Sequence, residues 1–204
     1  MINAGSAPVW FRLPPGFHDV HPSDRDALDS FADALNSSAA QQELARLMDA
    51  LHDLANLQVV HTALGLHPDE QGDVATSVFA MAVRPAETDN LRLTVARTAL
   101  AISQSTLWSP TTRRLIDLPS GLPCYLVAGT ISVPTAEQQL FQAKVVMPHA
   151  DGNHLLALDL TSAETRYGDA YIDILEAIAH TVSFTDPDPD PVPTATSRIL
   201  EVLL

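Results

Sequence analysis

The stretch that decides the fold is Gln138–Leu160, QQLFQAKVVMPHADGNHLLALDL. In its first half Phe141, Ala143, Val145 and Met147 alternate with Gln142 and Lys144, the period of two expected of a strand whose sheet has one dry face. His154 to Leu160 is again strand-like. Between the two runs, Asp151-Gly152 is the strongest hairpin signal in the chain, because both residue types accept the left-handed backbone of a tight turn. An antiparallel pair is therefore expected at the centre of the fold.

The flanking stretches follow the same pattern. Arg113 to Leu118 and Pro123 to Val133 read as two further strands, separated by Pro119-Ser120-Gly121 and closed by Pro134-Thr135-Ala136. Upstream, Val60, Thr62, Leu64 and Leu66 share one face of a strand. After the polar Pro68 to Gly72 connection, Ala75, Ser77, Phe79, Met81 and Val83 continue another, so these two runs predict a hairpin. Val9 to Leu13 predicts an opening strand ended by Pro14-Pro15-Gly16, where proline cannot donate to a ladder and glycine allows the turn.

Four helices are expected between and after these strands. Ser23 can cap a run carrying Leu28, Phe31 and Leu35, and Ser38 with Gln41 forms a capping box ahead of Leu44, Leu47, Met48, Leu51 and Leu54. Asp89 can cap a third, in which Leu91, Val95, Ala99 and Ile102 align while Leu93 and Leu100 fall off the stripe. Ser162 can cap the last, whose Tyr167, Tyr171, Ile174, Leu175, Ile178 and Val182 make a broad apolar face that must pack on the sheet. The expected class is α+β, an antiparallel sheet flanked by helices.

At 204 residues the chain suits one domain, and an apolar fraction of 46% suffices for a core. The organisation expected is a short N-terminus over residues 1–8, one domain over 9–184, an Asp/Pro-rich linker over 185–197 and an apolar segment over 198–204. The linker's Asp186-Pro187-Asp188-Pro189-Asp190-Pro191 is stiffened by proline and solvated by aspartate. Ile199, Leu200, Val202, Leu203 and Leu204 beyond it need a groove on the same domain, on a second copy or on a partner.

Charge and composition narrow the function. A net charge of −14 repels a phosphate backbone, and Arg113-Arg114 is the only basic pair, so nucleic acid is not an expected partner. No apolar run has membrane-spanning length, and the opening residues lack the pattern of a signal peptide. The lone Cys124 permits no internal disulfide and suits a reducing compartment, which makes the cytoplasm the expected location.

The sequence carries no Gly-x-Ser-x-Gly elbow, P-loop or dinucleotide fingerprint. His18 and His21 flank Asp19, and His149 and His154 flank Asp151, so these groups could meet at a metal if the opening turn lay beside the late hairpin, although their spacing matches no zinc pattern. Surface residues are the plainer reading of those histidines, and His61 and His180 are expected to pack at element edges. Cys124 sits inside a strand, where a buried thiol acts as a small hydrophobe. No catalytic residue, metal or cofactor is therefore assigned. Candidate interaction residues are Trp10, Trp108, Ile199, Leu200 and Leu203, the tryptophans because large aromatics anchor interfaces.

Pro14-Pro15-Gly16-Phe17 at the opening, Ile116 to Pro123 in the middle, and the closing unit of a strand through His154 to Thr161 with a helix reaching Ala179-His180-Thr181-Val182-Ser183-Phe184 together resemble Mog1/PsbP-like proteins. The resemblance implies an α/β/α sandwich and a family that binds proteins and supports assemblies, with no shared catalytic residues. Trp10-Phe11-Arg12-Leu13-Pro14-Pro15-Gly16-Phe17 is similar to the opening of certain actinobacterial proteins. The function expected is a non-catalytic accessory, adaptor or immunity-type factor of a bacterial assembly or secretion apparatus, with a protein partner of unspecified identity expected and self-association open. The alternative is a small-molecule or metal-binding protein, or a hydrolase whose site no motif betrays.

Overall fold

A computed structural model describes residues 8–20, 58–68, 74–87, 90–106, 108–132 and 139–185. The expected helices from Ser23 and Ser38 lie outside the described residues, as do Ile199, Leu200 and Leu203. Along the described chain run β1 (Phe17–Asp19), β2 (Val59–Pro68), β3 (Val74–Pro85), α1 (Leu91–Gln104), β4 (Trp108–Asp117), β5 (Pro123–Ser132), β6 (Gln139–Pro148), β7 (His154–Ser162) and α2 (Gly168–His180). The strands form one seven-stranded sheet in the order β1-β2-β3-β7-β6-β5-β4, every pair antiparallel.

The Gln138–Leu160 stretch is the middle of that sheet. β6 and β7 pair from Phe141↔Ser162 to Pro148↔Leu155, and the connection is closed by the His149 N–H donating to the His154 carbonyl at 2.9 Å, with Gly152 at φ +74°. β7 then pairs with β3, joining the β2–β3 hairpin to the β4–β5–β6 meander.

Two helices cover opposite faces. Phe141, Ala143, Val145 and Met147 of β6 and Leu156, Leu158 and Leu160 of β7 are buried with Tyr171, Ile172, Leu175, Ile178 and Ala179 of α2. Val146 and Leu155, on the other side of the pleat, are buried with Val95 of α1. The second face is thus dry where α1 lies, and the expectation of a single dry face is corrected there. Lys144 sits on that face because its register partner Asp159 receives it, Nζ to Oδ1 2.5 Å.

Four local expectations shift. Val9 to Leu13 is not a strand: its ladder is a single bridge, Trp10 to Ser183, while Val9, Phe11 and Leu13 pack on the α2-side core. Alternation there records burial without a neighbouring strand to pair with. The first strand follows the proline turn instead, where Gly16 (φ +92°) accepts from the Leu66 N–H at 2.8 Å.

α1 is capped by Asn90 rather than Asp89, its side chain accepting from the Leu93 N–H at 3.1 Å. α2 begins at Gly168 rather than after Ser162, because Thr165–Tyr167 forms a 3₁₀ turn in between, and the Ser162 hydroxyl accepts from the Glu164 N–H at 3.0 Å. β4 starts at Trp108, five residues before the expected start at Arg113. Its ladder with β5 shifts register between Pro110 and Thr112, the kind of edge irregularity that tolerates proline.

Candidate functional site

Among the described residues two groups of polar side chains stand out, one set by strand register and one by the turn between two strands. In the first, Gly65 of β2 lies opposite Ser77 of β3, and His67 stands two residues from Gly65 on the same face. Without a side chain at Gly65, Ser77 Oγ reaches across to His67 Nε2 at 3.0 Å. A Cβ on Gly65 would lie 2.4 Å from that oxygen and 2.5 Å from that nitrogen, so the glycine is what lets the pair form.

The surroundings close this pair in. Phe17 packs edge-on to His67 with ring centroids 5.1 Å apart, and the Tyr171 ring of α2 lies 6.1 Å away. Tyr171 Oη and Ser162 Oγ are 3.0 Å apart, and the Ser162 hydroxyl donates to the Thr76 carbonyl at 2.7 Å. Burial lowers the His67 pKa, which keeps the ring neutral, and burial raises that of Tyr171. A neutral histidine beside a serine is the start of a nucleophile–base pair. Yet Ser77 is 1% exposed, so no substrate carbonyl reaches its oxygen in this conformation.

The second group is the β6–β7 turn. Asp151 Oδ2 lies 2.7 Å from His154 Nδ1 and 3.1 Å from His149 Nδ1, while Oδ1 accepts from the N–H groups of Asn153 (2.9 Å) and His154 (3.1 Å). Burial alone would raise the Asp151 pKa, but the Asn153 N–H and the two imidazoles outweigh it and hold the carboxyl at about 2. The His149 side chain is fully buried, its ring edge-on to Phe184 at 4.9 Å. His154 Nδ1 hydrogen-bonds the carboxylate, whereas His149 Nδ1, close to the same oxygen, accepts from the Asp151 N–H at 3.3 Å. Among the described residues no group of three or more His, Cys, Asp or Glu is arranged to hold a metal ion.

His18 of β1 does not meet the turn histidines His149 and His154. His18 pairs with Leu64 in β1, a register row continued by Val78 and Thr161, whereas His154 ends its strand seven residues from Thr161, about 23 Å along the strand direction. His21 lies outside the described residues. His61 packs against Phe11 and Phe79 at 4.9 and 6.2 Å. Burial lowers its pKa although Asp19, 3.3 Å from Nε2, acts the other way. Exposed His180 faces Glu176 one turn earlier on α2. Cys124 is 0% exposed, and burial with nearby Glu176 pushes its thiol up to about 12, far from a reactive thiolate.

Of the proposed interaction residues, Trp10 and Trp108 are half-buried, the first bridged to Ser183 and the second paired with Ile131 at the start of β4. The leucines that fell off the α1 stripe are the more exposed apolar groups: Leu93 is 43% and Leu100 51% exposed, two turns apart on one side of the helix. Their misfit with the buried stripe was the signal available in the sequence. The Ser77–His67 pair left none, because its partners belong to different strands and meet only through register.

Neither a scan against protein-family models nor a search of curated proteins gives a match. Among solved structures the chain is similar to LpqN, involved in cell envelope biogenesis of Mycobacterium tuberculosis, with a TM-score of 0.52, 11% identity, and coverage of 89% of this chain and 85% of that one. At that identity the likeness is one of fold. A protein of unknown function from Pseudomonas aeruginosa, PA94, matches at a TM-score of 0.44 and 13% identity over 63% of this chain and 84% of that one. Among the described residues no helix is long and apolar enough to cross a membrane.

Proposed function

We propose that the protein is a non-catalytic interaction factor, an accessory, adaptor or immunity-type component of a bacterial assembly or secretion apparatus, built on a Mog1/PsbP-like α/β/α scaffold. The observation that carries this reading is the contrast between its reactive groups and its apolar ones. Ser77 and Cys124 are sealed in the core, whereas Leu93 and Leu100 stand in water on one side of α1. A partner with a complementary apolar surface would remove them from it.

The fold likeness to LpqN supports an assembly linked to the cell envelope. The cytoplasmic side of such an assembly suits a chain whose single thiol needs no oxidising compartment.

Site-specific photo-crosslinking in cells tests the proposal. A crosslinker at Leu100 is expected to give one discrete protein adduct that a crosslinker at exposed Thr165, beside α2, does not give. Indistinguishable patterns from the two positions would overturn it, as would ester or phosphate hydrolysis by the purified protein that is lost in Ser77→Ala.

A further inference from the structure

The sheet ends at β4, which among the described residues has a strand neighbour on one side only. Alternation divides its residues between two faces. Ile116 is buried with α2, and Arg114 pairs with Glu176 of α2, so these two look toward that helix. Leu115 is the register partner of Tyr125, which packs on the α1-side cluster, so Arg113, Leu115 and Asp117 share the α1 face. All three are exposed, Leu115 by 69%, the highest value among the exposed large apolar residues.

An open edge is normally guarded by charge, which repels a second copy. Here the signs alternate about an apolar centre: Arg113, then Leu115, then Asp117. Antiparallel pairing of this strand with itself about Leu115 sets Leu115 against its own copy, Arg113 against the copy's Asp117, and Asp117 against the copy's Arg113. The two flanking cross-strand contacts are then both attractive, and the exposed leucine is covered. The same pairing would satisfy outward backbone groups of the edge and continue the sheet through both copies. A one-residue slip of that register would lose the charge match.

We infer that β4 is a self-association edge, and that two copies of the chain pair antiparallel through residues 113–117 with Leu115 on the two-fold axis. The inference stands apart from the proposed function, since it needs no foreign partner. The contact is short, so the dimer is a weak one that forms with rising concentration.

Sedimentation velocity of the full chain over a concentration series, with charge reversals, tests it. Arg113→Asp alone places aspartate against aspartate, Asp117→Arg alone places arginine against arginine, and each is expected to weaken dimerisation roughly tenfold. Mixing those two variants restores opposite charges at both contacts, so a heterodimer should form where neither variant dimerises alone. The doubly reversed Arg113→Asp/Asp117→Arg chain should also dimerise like the wild type. A wild type that stays monomeric at every concentration would show that the charges guard the edge, and the inference fails. A dimer indifferent to these reversals is built elsewhere and overturns it equally.

Discussion

Gly65→Ala isolates the geometry on which the β2–β3 polar pair depends. In an open strand this change is stabilising by about 0.5 to 1 kcal/mol, because alanine has less backbone freedom to lose on folding. At position 65 the new Cβ would sit 2.4 Å from Ser77 Oγ, 2.5 Å from His67 Nε2 and 3.0 Å from Phe17 Cε1. His67 can swing away, but buried Ser77 would then lose its histidine partner. Overpacking costs about 1 to 3 kcal/mol and an orphaned buried hydroxyl about 1 to 3 more, so a net loss of roughly 2 to 4 kcal/mol is expected. For a chain of this size that corresponds to roughly 5 to 15 °C in Tm. Urea denaturation followed by circular dichroism measures it, with Ser77→Ala and the double variant completing a cycle. Removing Oγ takes away part of the clash, so the double variant should be more stable than the sum of the singles implies. A Gly65→Ala chain as stable as the wild type, or strictly additive effects, would show that position 65 tolerates a side chain and that the pair does not depend on its absence.

The turn and the caps give further expectations. Asp151, held at about 2 against an ordinary 3.8, contributes on the order of 2 kcal/mol that is present above pH 4 and lost as pH falls toward 2; Asp151→Asn should forfeit it at neutral pH and converge with the wild type in acid, which urea midpoints at several pH values would check. His61 and His67 have pKa values lowered by burial, so the unfolded chain binds protons first as pH drops below about 6.5 and stability should decline there. Replacing His67 with Gln should flatten that part of the stability–pH curve, and an unchanged slope would contradict its burial as the cause. Asn90→Ala removes the cap of α1 and should cost about 1 kcal/mol, read from the same denaturation assay.

The fold was legible where local signals agreed with tertiary ones. Asp151-Gly152, the alternation through Phe141–Met147 and the stripe of Val95 and Ala99 each stand where the pattern put them, because burial of one face enforces a period. Val60 shows the limit. It reads with Thr62 and Leu64, yet packs on the α2-side core, because the ladder shifts register between Val59 and His61 and carries it to the other face. Pairing order was not legible either: nothing local says that β7 returns to β3. The contact between His67 and Ser77 lies within the expected β2–β3 hairpin, but its register, with Gly65 opposite Ser77, was not legible.

On the proposed function, partner binding depends on the surface of α1 and not on the sealed polar groups. Calorimetric titration of the partner captured at Leu100 into the wild type, Ser77→Ala and Leu93→Glu/Leu100→Glu tests it most directly. Ser77→Ala is expected to bind within about twofold of the wild type, and the double glutamate variant to fold normally but bind at least about tenfold more weakly. Binding that survives the glutamates and fails with Ser77→Ala would contradict it.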